Sequence, residues 1–332
     1  MRLGNITTGG TLNVVNDNGS ITQSSGSSLS VAGTSSFNSA VFSGRSDITL
    51  NSASNNFVGA VSGSGHSIIL RDGVGGLITG QVNATGDFTV TSTAGTLTLG
   101  SSSVAGALTA SASANLDLGS ASVGTLVAQS DSGSVTQTGA LSAVGAVSVT
   151  ASNGNISLAN IANVFGGAVS LSAIDVSVTS SSNIDLGAVL ATDEFTSVTG
   201  VGGVSGGVTQ SGVVEVLGTA RFTAHTLPGQ TATLNGNNLF RGLLVFDTAN
   251  SGSWDSIAAT NAVSGGTSNI TLPASVGTVV LSVPSANVAI GGSSIGAGGL
   301  SVATGGNLSQ SGALTVAGAT QLNVTGQVSL TN

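Results

Sequence analysis

Four glutamines have surroundings that repeat. Gln23, Gln137, Gln210 and Gln310 each sit between a hydroxyl residue and a small polar turn, in "GSITQSSGSSLSVAG", "GSVTQTGALSAVG", "GGVTQSGVVEVLG" and "GNLSQSGALTVAG". A side-chain amide both donates and accepts, so amides at one site on successive layers of a fold suit internal ladders or caps on turn backbone. A second phrase, N-x-F-x-G, recurs three times: Asn55, Asn163 and Asn238 stand two residues before Phe57, Phe165 and Phe240, and Gly59, Gly167 and Gly242 two residues after. The asparagines read as turn or ladder residues, and the rings as fillers of the interior.

Groups suited to catalysis do not gather. Asp193 and Glu194 are adjacent, so on a strand they point to opposite faces and cannot flank one bond. Asp17, Asp72, Asp131 and Asp255 sit beside Gly or Ser in turns, where a carboxylate bonds local backbone. His66 and His225 have no carboxylate or cysteine at ligand spacing, and no EF-hand loop occurs. The expectation is therefore a protein without catalytic, cofactor or metal sites. One region departs from the pattern. Pro228, Pro273, Pro284, His225 and the sole Trp254 all fall within residues 225–284, where a loop excursion is expected around "ANSGSWDS". Trp254, with Asp255 and His225, is the candidate ligand site, as a surface for a sugar ring or as a plug inside the fold.

Composition narrows the class. The chain has 332 residues, 51 of them Gly, with 40% hydrophobic, 3% aromatic and 5% charged residues and no Cys. The apolar share is too high for a disordered linker, so the chain buries a core, and that core is aliphatic. A net charge of −8 with five cationic residues leaves no basic footprint for nucleic acid. No window approaches the roughly 20 apolar residues of a spanning helix, so membrane insertion is not expected.

The elements that position these residues are short. Apolar-alternating triplets start at Asp87, Ala107, Thr125, Ala146, Ala168 and Ala188, separated by about 20 residues and bounded by Gly, Asn and Ser. Strands repeating at that period stack as coils of a parallel β-solenoid, each burying what its neighbour exposes. The predicted fold is all-β, one continuous solenoid over 1–332 with roughly 16 coils of about 4.8 Å each. It contains three long repeats and a partial one, and reads as a piece of a longer protein.

Together, the Gln phrase, the N-x-F-x-G phrase and an aliphatic-Gly pair before each glutamine resemble the repeats of large exoproteins and adhesins of the filamentous haemagglutinin type, secreted by the two-partner route. The resemblance covers essentially the whole chain. It implies a single-stranded right-handed parallel β-helix on a Gram-negative cell surface, with adhesion as the role. Its partners would be an outer-membrane secretion pore during export and then a host or biofilm surface, including glycans. End-to-end self-association is a further expectation, because strand edges at either end lack a cap. The alternative is a carbohydrate-active β-helix, a lyase or depolymerase.

Overall fold

Alternation of apolar and polar residues, broken by Gly, Asn and Ser, gives strands and nothing else. The computed structural model describes residues 1–41, 44–201, 206–226 and 228–332, and no helix occurs among them. Strands pair in parallel from turn to turn as a β-solenoid of roughly 21 residues per turn. Among the described residues, the antiparallel pair is Ser35–Val41 with Gly44–Arg45. The chain divides into two compact units, Met1–Asn160 and Ile161–Asn332.

In the first unit each turn contributes strands to three faces, and inward side chains stack in columns. Ile21, Ile48, Ile68, Phe88, Leu108 and Leu126 follow one another in register on successive turns. Leu77, Leu97, Leu116, Val135 and Ile156 form a second column on another face. All eleven are buried. A side chain of this size stabilises by about 1.5–3 kcal/mol when fully buried, so a turn gains its core only when turns lie above and below it. Phe88 pairs with Leu108, Leu108 with Leu126 and Leu126 with Val147, which reproduces the 20-, 18- and 21-residue steps of the triplets.

Strand entry has its own rule. The residue before the first inward side chain is repeatedly Asn or Asp, and its Oδ1 accepts the backbone N–H at the same place on the next turn. Asn5 accepts from Ser28 at 2.8 Å, Asp47 from Ser67 at 3.1 Å, Asp87 from Ala107 at 2.9 Å and Asn115 from Ser134 at 2.9 Å. The second unit repeats this with Asp175 to Glu194, Asn287 to Asn307 and Asn307 to Gln327. Several of the scattered carboxylates are thereby engaged as backbone caps.

Part of the second unit has wide turns. Phe195 pairs with Ala220, Ala220 with Leu244 and Leu244 with Ile270, steps of 25, 24 and 26 residues, before Ile270 returns to a 20-residue step with Ile290. A longer turn encloses a wider interior, and this one is filled by rings. Phe222 lies 5.5 Å from Phe195, 6.1 Å from Phe240 and 5.5 Å from Phe246, and Phe246 lies 6.2 Å from Trp254. The widening explains why the 20-residue spacing is lost across 225–284. One sequence-derived step needs correction: Val189 pairs with Leu171, not with Val169, a register two residues removed from that of the triplets at Ala168 and Ala188. Because the strand period is two, the slip keeps the same side chains inward.

Leu97→Ala should lower unfolding stability by about 2–5 kcal/mol, since the columns above and below cannot collapse into the space. The adjacent outward Thr98→Ala should stay within about 0.5 kcal/mol. Denaturant midpoints of the two variants measure the contrast.

Candidate functional site

The recurring phrases meet at one corner of the solenoid. Leu3 pairs with Gln23, Leu186 with Gln210 and Ile290 with Gln310, so the aliphatic-Gly pair and the glutamine are neighbours on consecutive turns. The following turn supplies the asparagine. Gln23 Nε2 donates to Asn55 Oδ1 at 2.7 Å, and Asn55 Nδ2 donates back to Gln23 Oε1 at 3.1 Å. Gln210 and Asn238 form the same reciprocal pair at 2.9 and 2.7 Å. The asparagine Oδ1 also accepts a backbone N–H, from Leu29 in one case and Val214 in the other, each at 3.0 Å. Gln137, Gln210 and Gln310 each donate to the carbonyl two residues on, at Gly139, Gly212 and Gly312. Asn163 Nδ2 donates to the Thr179 carbonyl, as Asn55 Nδ2 does to that of Arg71. Asn55, Asn163 and Asn238 are fully buried.

The Phe and Gly of N-x-F-x-G follow from the same packing. Phe57, Phe165 and Phe240 point inward and are buried. The glycine sits where two turns approach closely: a Cβ on Gly59 would fall 2.4 Å from the Gly33 carbonyl oxygen, and one on Gly242 would fall 2.2 Å from that of Gly218. One of the turn carboxylates, Asp72, completes the arrangement one turn later. Asp72 Oδ2 accepts the Phe57 N–H at 2.6 Å and its Oδ1 that of Val74 at 2.8 Å. Asn261 stands at the equivalent place, its Oδ1 accepting from Phe240 at 3.0 Å and Val263 at 3.4 Å, with Nδ2 donating to the Phe240 carbonyl and to Ser268 Oγ. Asp72 follows Phe57 by 15 residues and Asn261 follows Phe240 by 21, and this difference in turn length hides the shared position from a fixed-spacing alignment. Burial pushes the Asp72 carboxyl above its ordinary value, partly offset by the two backbone N–H groups it accepts.

Trp254, Asp255 and His225 do not converge on a ligand. Trp254 begins the strand Trp254–Asn261, its ring is 1% exposed, and its Nε1 donates to the Asp247 carbonyl at 2.8 Å. Of the two readings of Trp254, a surface for a sugar ring and a plug inside the fold, the buried indole matches the plug. "ANSGSWDS" makes a tight turn, with Asn250 and Ser251 at positive φ and Gly252 N–H donating to the Ala249 carbonyl. Asp255 is exposed on the opposite side of the same strand, by the alternation that any two consecutive strand residues obey. His225 contacts Thr226 Oγ1 through Nδ1 and Asn250 Nδ2 through Nε2 at 2.6 Å, which ties the corner together. Beneath it a glutamine outside the four phrases, Gln230, donates to the His225 carbonyl at 3.0 Å and accepts from Thr199 Oγ1 at 2.8 Å. Pro228, Pro273 and Pro284 lie between strands, while Leu227 is outside the described residues. Among the described residues, no group of three or more His, Asp or Glu is placed to hold a metal ion.

Four stretches, residues 1–64, 105–172, 173–247 and 276–332, match the family model described as repeats of unknown function (DUF5649). The chain belongs to this repeat family. Comparison with curated proteins and with solved structures found no match. Each DUF5649 stretch contains one recurring glutamine, so the family unit includes the corner built around it.

In the first compact unit, Asp72→Asn tests the buried carboxylate. A carboxyl whose folded pKa is raised adds stability below its unfolded value of 3.8 and loses that contribution as pH rises through the folded value. At neutral pH Asp72→Asn should therefore unfold at higher denaturant than the parent, with Asn bonding as Asn261 does. The difference should shrink as pH falls through the raised folded value and level off below pH 3.8. Trp254→Ala should cost about 3–5 kcal/mol, as expected for an interior ring, read from the unfolding midpoint.

Proposed function

We propose that the chain is a structural and adhesive segment of a secreted bacterial surface exoprotein, which projects from the cell and mediates attachment. The observation that supports this best is the fate of the repeated polar residues. The Gln23–Asn55 and Gln210–Asn238 pairs and the Asx caps spend their hydrogen bonds joining one turn to the next. Repetition here maintains a geometry, and a geometry that can be extended turn by turn suits display of a surface.

Export through an outer-membrane pore fits the same architecture. The chain lacks cysteine, so no disulfide hinders passage, and turns that contact only their neighbours can fold progressively as they emerge. Once outside, the partner is a host or biofilm surface. The activity is binding without turnover, and no cofactor is required.

An epitope inserted at the exposed turn of Gly265 and Gly266 in the producing bacterium should be detected on intact cells and removed by external protease. Deletion of the chain should lower attachment to a surface by at least severalfold. Retention of the epitope inside the cell, or attachment unchanged by deletion, would refute the reading.

A further inference from the structure

The outside of the first unit carries a groove of about 390 Å³, lined among others by Arg45, Asn83, Ser103, Ser122, Val104 and Val144. One wall is regular. Asn83 pairs with Ser103 and Ser103 with Ser122, so three polar side chains stand in a column about 4.8 Å apart. Val104 lies buried beside the column, and Val144, at 79% exposed, gives an apolar contact at one end. At the other end stands Arg45, carried by the antiparallel pair that departs from the solenoid. Its Nη1 donates to the Asn83 carbonyl at 3.0 Å, which holds the guanidinium over the groove. The ion pairs among the described residues, Arg221–Asp247 and Arg241–Glu215, both belong to the other unit, so Arg45 is in none of them.

We propose that this groove binds a carboxylated oligosaccharide, a uronic-acid chain of two to three sugar units lying along the column, with one carboxylate on Arg45. The volume lies within the range of small-ligand sites, which is about 300–1,000 Å³. The rungs are spaced close to the length of one pyranose unit, so successive sugar hydroxyls meet Asn83, Ser103 and Ser122 in turn. The planar guanidinium fork matches a carboxylate. A peptide strand is the poorer occupant, because the backbone along the column is already committed to turn-to-turn pairing on both sides and offers no free edge. A polyphosphate is poorer still, since it carries no sugar hydroxyls to meet Asn83, Ser103 and Ser122 in turn.

The inference takes from the adhesive reading only the source of the glycan, and it can be tested on the purified full chain. Isothermal titration with trigalacturonate should show binding at least tenfold tighter than with the neutral trisaccharide of the same linkage. Arg45→Ala should weaken it at least tenfold while the circular dichroism spectrum and thermal midpoint stay unchanged. Ser103→Trp, which fills the groove from its rim, should abolish it. No binding of trigalacturonate, equal affinity for the neutral trimer, or indifference to both substitutions would overturn the proposal. Loss of the groove with attachment by intact cells preserved would leave the adhesive reading standing. Uronide binding by a chain that never reaches the cell surface would do the reverse.

Discussion

Among the described residues, strands other than Gly44–Arg45 bond to their counterparts one turn away, and the other features answer to that ladder. Because pairing is parallel and in register, the side chain above a given residue occupies the same place in the next turn. Like must therefore tolerate like. Aliphatic groups stack on themselves at no electrostatic cost, and amides stack by exchanging hydrogen bonds, but buried charges repel and lose their water. The interior obeys this: leucine, valine and isoleucine fill the columns, and Asp72 is the buried ionisable side chain among the described residues. Its two backbone donors make it tolerable where it sits, and the asparagine at the equivalent corner does the same work without charge.

The ladder satisfies strands and leaves corners open. At the corners the chain changes direction, its backbone groups turn away from their counterparts, and side chains have to supply the missing partners. The Asx rule at strand entry and the reciprocal Gln–Asn pair are two answers to that deficit, and each spans consecutive turns. The long sequence repeat follows from this geometry. Its aliphatic-Gly, glutamine and asparagine phrases are far apart in sequence because each belongs to a different layer, and they recur in fixed order because the corner is assembled layer by layer.

Much of this was legible from residue types. Period-two alternation with Gly and Asn punctuation specified strands and their stacking, and the recurrence of Gln, Asn and Phe marked the corner. What escaped was anything depending on turn length. Turns of 24 to 26 residues around the aromatic cluster broke the apparent period, which made 225–284 look like an excursion when its strands remain in the ladder. The two readings open for Trp254, a surface for a sugar ring or a plug inside the fold, could be separated only by the widened interior that accommodates the ring. Strand alternation sets Trp254 and its neighbour Asp255 on opposite sides, and the order of the two residues alone specifies that. Arg45 left no signal, because nothing in "SGRSD" announces an antiparallel pair.

A fold of this kind divides its surface into two populations. Inward and corner positions are constrained by the turns on either side, so their recurrence speaks about stability and says little about ligands. Outward positions meet only solvent and the adjacent outward side chains, which leaves them free to differ from turn to turn without disturbing the ladder. Specificity then has to arise where the outward surface departs from its own regularity. The first unit departs at the Gly44–Arg45 strand beside the Asn83 column. The second departs at the His225 corner, where Thr226, Asn250 and Ser251 adopt positive φ without being glycine. Those two departures differ in kind. The strained corner is closed over by its own hydrogen bonds from His225 and Gln230, so its conformation serves the widened turn. Arg45 instead faces an open groove, so its place off the ladder serves no turn-to-turn contact beyond its bond to the Asn83 carbonyl.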